Sequence, residues 1–149
     1  MNSIIIEEDN FDRARKKIRE NRGKEIIFSS YDDETSRKVL EKEAINILLI
    51  RQKGRKDRPK QRNSGLDLVM TKLAKKKEII IGIDYDEILD SQGKEKAEIL
   101  SRIKQNVKLC NKEKLKMKFI ALKNRKDEHD LKAFGLVLGM STRLVKDLY

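Results

Sequence analysis

Apolar residues fall in five short blocks, each followed by a longer stretch in which they recur every three or four positions. The blocks are Ser3–Glu8 (SIIIEE), Glu25–Ser29 (EIIFS), Asn46–Ile50 (NILLI), Glu78–Ile83 (EIIIGI) and Met117–Leu122. They are nearly all apolar rather than alternating, the pattern of strands covered on both faces. The stretches between them read as helices. Asn10 caps one, with Phe11, Ala14 and Ile18 on its apolar face and an end near Gly23. Asp32 or Asp33 starts a second, running through Val39 and Leu40. Ser64, with Asp67 three residues on, resembles a capping box and opens a third, with Leu66, Val69, Met70 and Leu73 on one face. A fourth runs from about Lys94 to Lys114, with Leu100, Ile103, Val107 and Cys110 inward. Two closing helices span Asp127–Leu138, stopped by Gly139, and Ser141–Tyr149.

A strand followed by a helix, five times over, implies parallel pairing through right-handed crossovers. Either an open five-stranded α/β sheet or a reduced, partial TIM-barrel-like fold satisfies this. A complete eight-stranded barrel takes roughly 250 residues, and this chain has 149, enough for a single domain.

Charge sharpens the picture. Charged residues make up 41% of the chain, with 36 Lys or Arg against 25 Asp or Glu, for a formal net charge of +11. A polyanionic partner is the first expectation. The excess is concentrated: Arg51, Lys53, Arg55, Lys56, Arg58, Lys60 and Arg62 lie on one loop with a single acid, Asp57. In a parallel fold the loops at the C-terminal ends of strands form the working face. The loop 51–63 has no bulky apolar residue to anchor it, so it should be mobile until phosphate orders it. Lys123, Arg125 and Lys126, after the last strand, should form a second basic finger on the same rim, and Asn63 and Ser64 add hydrogen-bonding groups where the third helix begins. No aromatic residue interleaves the basic run, which favours backbone contact with folded RNA or duplex over a stacking platform.

Catalytic patterns are thin. Glu7, Glu8 and Asp9 close the first strand and Lys123 follows the fifth, as in a phosphoacceptor pocket, but the third strand ends Ile50–Arg51 where such a pocket needs an aspartate. Asp84, Asp86 and Glu87 could bind Mg²⁺, although acids at a helix start are the commoner explanation. A small Mg²⁺-dependent phosphoesterase using Glu7, Glu8, Asp84 and Asp86 is therefore one alternative, and a non-catalytic protein-interaction scaffold is another. His129 has no nucleophile beside it and reads as a capping or packing residue. The lone Cys110 reads as a small core residue; it cannot form an internal disulfide, which points to a reducing cytoplasm. No apolar run approaches the ~20 residues that span a bilayer, no signal-peptide pattern opens the chain, and no glycine belongs to a phosphate-binding motif.

From about Lys56 onward the chain resembles the ribonuclease P protein component 3 family, the barrel-fold subunit of archaeal and eukaryotic ribonuclease P. Four stretches carry the likeness: Arg62–Lys76 (RNSGLDLVMTKLAKK), Ile79–Leu89 (IIIGIDYDEIL), Ala97–Cys110 (AEILSRIKQNVKLC) and Asp127–Ser141 (DEHDLKAFGLVLGMS). Arg55, Lys56 and Asp57 match the family's short Arg-Lys-Asp turn, here set in a longer and more basic loop. Members of the family usually carry further strand-helix units, so the sequence reads as a shortened member that begins part-way into the barrel.

The resemblance implies a concrete role: a protein subunit of ribonuclease P, supporting 5′ leader removal from precursor tRNA while the RNA subunit supplies the Mg²⁺ chemistry. It implies no catalytic residue, metal or cofactor on the protein itself. Its partners would be ribonuclease P RNA, precursor tRNA indirectly and protein component 2, with a homodimer as a further expectation. The residues expected to meet RNA are Arg51, Lys53, Arg55, Lys56, Arg58, Lys60, Arg62, Asn63, Ser64, Lys123, Arg125 and Lys126.

Overall fold

The structure, a computed structural model, describes residues 2–124 and 127–145. Its elements in chain order are β1 (Ser3–Glu7), α1 (Phe11–Glu20), β2 (Glu25–Ser29), α2 (Asp33–Lys42), β3 (Ile47–Ile50), α3 (Leu68–Lys77), β4 (Ile80–Asp84), α4 (Tyr85–Asp90), α5 (Gly93–Glu113), β5 (Met117–Ile120), α6 (Glu128–Val137) and α7 (Thr142–Val145). The five strands pair in sequence order, all parallel. Crossovers of one hand between successive neighbours put the helices on a single face. That separates the two architectures left open above. A doubly wound sheet has helices on both faces, whereas this sheet packs Ile6, Phe28, Leu48, Ile81 and Phe119 under the helices, against Ala14, Val39, Leu40 and Ile103. Its other face is a small layer of Ile27, Ile47 and Leu49, flanked by half-buried Ile5, Ile80 and Ile120. The chain is a segment of a β/α barrel: helices outside, an aliphatic lining inside, and β1 and β5 each paired on one side only among the described residues.

Register builds that lining. Ile5 pairs with Ile27, Ile27 with Ile47 and Ile47 with Ile80, so isoleucines line up across the inner face. Gly82 lies on the same face opposite Leu49, where a Cβ would stand 3.3 Å from the Leu49 Cα and 3.1 Å from the Ile47 Cγ2. A side chain there would wedge the lining apart.

Five helix starts are fixed by Asx side chains, while α5 has no side-chain cap. Asn10, Asp32, Asp67, Asp84 and Asp127 accept from the backbone N–H of Arg13, Thr35, Met70, Glu87 and Asp130 respectively. The third helix therefore begins after Asp67 rather than at Ser64, which is buried. Leu66 precedes that helix and Val69 is exposed, so its inward face is Met70, Thr71 and Ala74. On α5 it is Ile99, not Leu100, that shares the buried stripe with Ile103, Val107 and Cys110. The acids at 84–87 do start a helix, α4, short and set directly on β4. The fourth strand begins at Ile80, because Glu78 takes a left-handed φ of 58° to end α3. Of the closing helix, Thr142–Val145 is described and the remaining expected turn, 146–149, lies outside the described residues.

Candidate nucleic-acid interface

Because every strand runs the same way, the loops after β2, β3, β4 and β5 gather at one end. Alternation along β3 carries Arg51 onto the inner face, in line with Leu49, where it meets the last residues of β1 and β4. Its guanidinium pairs with Glu7 from β1 and lies 3.2 Å from the Asp84 carboxylate of β4. Tyr31 stacks beside it at 5.7 Å from the ring centroid. Arg51 is thus an internal tie across the barrel mouth, its guanidinium already engaged by two carboxylates.

The loop 51–63, without apolar anchors, is tied down by polar contacts instead. Arg102, buried on α5, donates to the carbonyls of Gln52 and Arg55 at 3.3 and 2.8 Å and to the Asp57 carboxylate at 3.0 Å. Asp57 also accepts from the Asn63 N–H, and these donors hold its carboxyl below the usual range. Arg55 turns back to chelate Asp33 at 2.8 and 2.9 Å and donates to the Arg51 carbonyl. Gly65 makes room for it: at a φ of +80°, any side chain would run into the Arg55 guanidinium and Ile50. At the loop's base, Glu87 accepts from the Gln52 N–H at 2.6 Å. Burial and the nearby Asp84 push the Glu87 carboxyl up to about 7. Ser64 is buried too, its carbonyl accepting from both Gln52 and Asn106. Arg55 and Ser64, like Arg51, are therefore engaged in bonds within the chain that hold the loop together.

What the framework presents is a short hairpin. Arg58 and Gln61 exchange backbone hydrogen bonds at 2.9 and 3.0 Å around Pro59 and Lys60. Proline followed by a residue at φ 65° fits a type II turn, with a lysine where glycine is usual. Lys53, Lys56, Arg58, Lys60 and Arg62 are all exposed. Among the described residues the first four have no side-chain hydrogen bond or ion pair, and Arg62 acts only at a distance on Asp57. Beside the hairpin lies a cleft of about 270 Å³ walled by Arg37, Arg58, Gln61, Arg62, Asn63 and Gln105, with Asp33, Glu34 and Asp67 on its far side. Asn63 is half-buried at its edge, its N–H on Asp57 and its carbonyl oxygen 3.4 Å from Arg55.

The second finger differs. Lys123 does reach the same end, on a cleft of about 250 Å³ that it lines together with Arg51 and Lys53 of the basic loop and with Asp84, Asp86, Glu87, Asp90 and Glu95, and it lies 3.6 Å from Asp90. Asp86 fixes that loop by accepting from the N–H groups of Leu122, Lys123 and Asn124. Burial would raise its pKa, but these donors outweigh burial and lower it. Arg125 and Lys126 lie outside the described residues. Among the described residues the rim is a basic hairpin beside a cleft that carries both acids and cations.

The carboxylates of the phosphoesterase alternative are all committed elsewhere: Glu7 and Asp84 to Arg51, Glu8 to Arg13 and Lys17, Asp86 to the 122–124 backbone. Among the described residues no group of three or more His, Cys, Asp or Glu could hold a metal ion. His129 is exposed, the capping falling to Asp127 instead. Cys110 is buried, its thiol pushed up to about 12 by burial, and is inert packing. Sequence reasoning does not single out Tyr31, Arg37, Arg102 or Gln105. Only Tyr31 carries a local signal, a large ring in the polar run Ser29–Asp33 after a buried strand.

No protein-family model and no curated protein matches the chain. Among solved structures, a chain in the cryo-EM structure of archaeal ribonuclease P with mature tRNA has the same fold, with a TM-score of 0.80 and 24% sequence identity. The match covers 97% of this chain and 64% of that one, so the chain spans just under two thirds of its neighbour's length. No helix among the described residues is long and apolar enough to cross a membrane.

Proposed function

We propose that this chain is a protein subunit of ribonuclease P, binding and supporting the catalytic RNA in removal of the 5′ leader from precursor tRNA. The observation that carries the reading is the correspondence of nearly the whole fold with a chain of the archaeal ribonuclease P structure. The four sequence stretches from Arg62 to Ser141 and the ordered basic hairpin support it independently. In this reading the protein supplies no reacting group and Mg²⁺ acts through the RNA. Lys53, Lys56, Arg58, Lys60 and Arg62 contact phosphates, Asn63 donates from the cleft edge, and Lys123, Arg125 and Lys126 add a weaker flank. Protein component 2 is the expected protein partner and the cytoplasm the expected compartment.

Each phosphate neutralised on an RNA helix releases counterions, so affinity falls with salt along a slope set by the number of phosphates engaged. Changing Lys56, Arg58, Lys60 and Arg62 together to Ala should flatten the log–log salt slope for ribonuclease P RNA by about 0.9 for each phosphate no longer neutralised. The companion assay is reconstitution: precursor tRNA cleavage by the RNA with wild-type protein, with the quadruple variant, and with or without component 2. An unchanged slope removes the hairpin from the interface. No stimulation by wild-type protein in any combination rejects the ribonuclease P role.

A further inference from the structure

The opposite end of the sheet, where strands begin, carries a second surface. A groove of about 460 Å³ runs between the ends of α3 and α5 and the amino ends of β4 and β5. Its accessible floor is half-buried Ile80, with Ile79 and Leu115 sealed beneath in the core. Its walls carry four cations, Lys75, Lys114, Lys116 and Arg143, and one acid, Glu78. Lysines in a helix's last turn complement its dipole, which accounts for Lys75. It does not account for Lys116, which lies beyond α5, or for Arg143, which arrives from α7. Four like charges from three separate parts of the chain converge here. Among the described residues, none of the four has an ion pair, and only Lys75 has a side-chain hydrogen bond, to the Lys114 carbonyl at 3.1 Å.

We infer that this groove is a docking site for an acidic, apolar segment of a protein partner: an aliphatic or aromatic side chain against Ile80 and the lysine methylenes, with carboxylates against Lys114, Lys116 and Arg143. Charge complementarity sets the sign of the partner, and the floor sets its class. A partly apolar floor suits an apolar side chain, whereas single-stranded nucleic acid would call for a ring to stack on, and the groove has none. The hairpin is at the other end of the strands, so the groove could be filled while RNA is bound. This assignment does not depend on the ribonuclease P reading.

The test is selection of a phage-displayed random dodecapeptide library on the full chain, followed by fluorescence-polarisation affinities for the enriched peptides. The enriched sequences should carry Asp or Glu flanking Leu, Ile, Met or Phe. Their affinity should fall about tenfold or more for Lys116→Glu/Arg143→Glu and when the peptide's apolar residue becomes Ser. The hairpin quadruple variant should bind them as wild type does, and the groove variant should bind ribonuclease P RNA as wild type does. No enrichment, enrichment of basic or wholly polar peptides, or equal binding by the charge-reversed protein would overturn the inference. So would displacement of the peptides by oligouridylate, which would give the groove to RNA instead.

Discussion

Two populations of cation share the segment 51–63 and its support, and they differ in everything but charge. Arg51, Arg55 and the Arg102 beneath them are largely buried, and their guanidinium forks are spent on Glu7, Asp33, Asp57, Asp84 and loop carbonyls. Lys53, Lys56, Arg58, Lys60 and Arg62 are exposed and end in solvent. Formal charge counting treats the two alike, yet only the second population can meet a phosphate without first breaking a bond inside the protein. The division follows chemistry: arginine's planar fork satisfies several acceptors at once, so it is the residue spent on the framework, and the three lysines are all left outside.

The largest effect should come from the clamp. Arg102→Ala strips the donors from the Gln52 and Arg55 carbonyls and from Asp57, and should cost about 3 kcal/mol in chemical denaturation. It should also weaken RNA binding while leaving the salt slope nearly intact, because the phosphate-binding side chains remain but are no longer held in place. A stability loss without any loss of RNA affinity would separate framework from interface entirely. A flattened slope would mean that the two populations are one.

Next comes Glu87, which ties the base of the loop through the Gln52 N–H. An ordinary glutamate titrates near 4.5 and this one near 7, so the folded state binds the proton more tightly than the unfolded state does. Its contribution is therefore full below pH 4.5 and is lost as pH rises toward 7, by about 3 kcal/mol at most. Glu87→Gln keeps an acceptor for the N–H and removes the titration. The variant should match wild type near pH 4 and exceed it at pH 8, as read by the difference between their urea midpoints across that range. A difference that does not vary with pH would show the carboxyl to be ordinary.

The strands and most helices were legible in the sequence because they rest on local periodicity, Ile-rich blocks and Asx caps acting within a few residues, whereas the one-sided helix packing was left open between two architectures. The framework was not legible, because its bonds span long separations. Arg102 reaches Asp57 across 45 positions, and Arg55 reaches Asp33 across 22. A loop without apolar residues therefore read as unanchored when its anchor is polar and lies on α5. Arg51 is the instructive exception. Two residues after inward-facing Leu49, it obeys the strand period, and extending β3 by one step would have placed it inside the mouth.

The smallest effect is the cleanest division between the two populations. Lys60 sits at φ 65°, a conformation that costs a residue with a Cβ and that glycine adopts without strain. Lys60→Gly should therefore leave the fold intact and stabilise it by about 0.5–1 kcal/mol, since relief of the left-handed strain outweighs the added freedom of the unfolded chain. The same change deletes the ammonium at the tip of the hairpin. Affinity for ribonuclease P RNA should fall and the salt slope flatten by about 0.9, the increment of a single phosphate. Stability and binding would then move in opposite directions from a single substitution, as expected where a strained turn is kept for what it presents. If binding is unchanged while stability rises, the tip lies outside the interface and phosphate binding falls to Lys53, Lys56, Arg58 and Arg62.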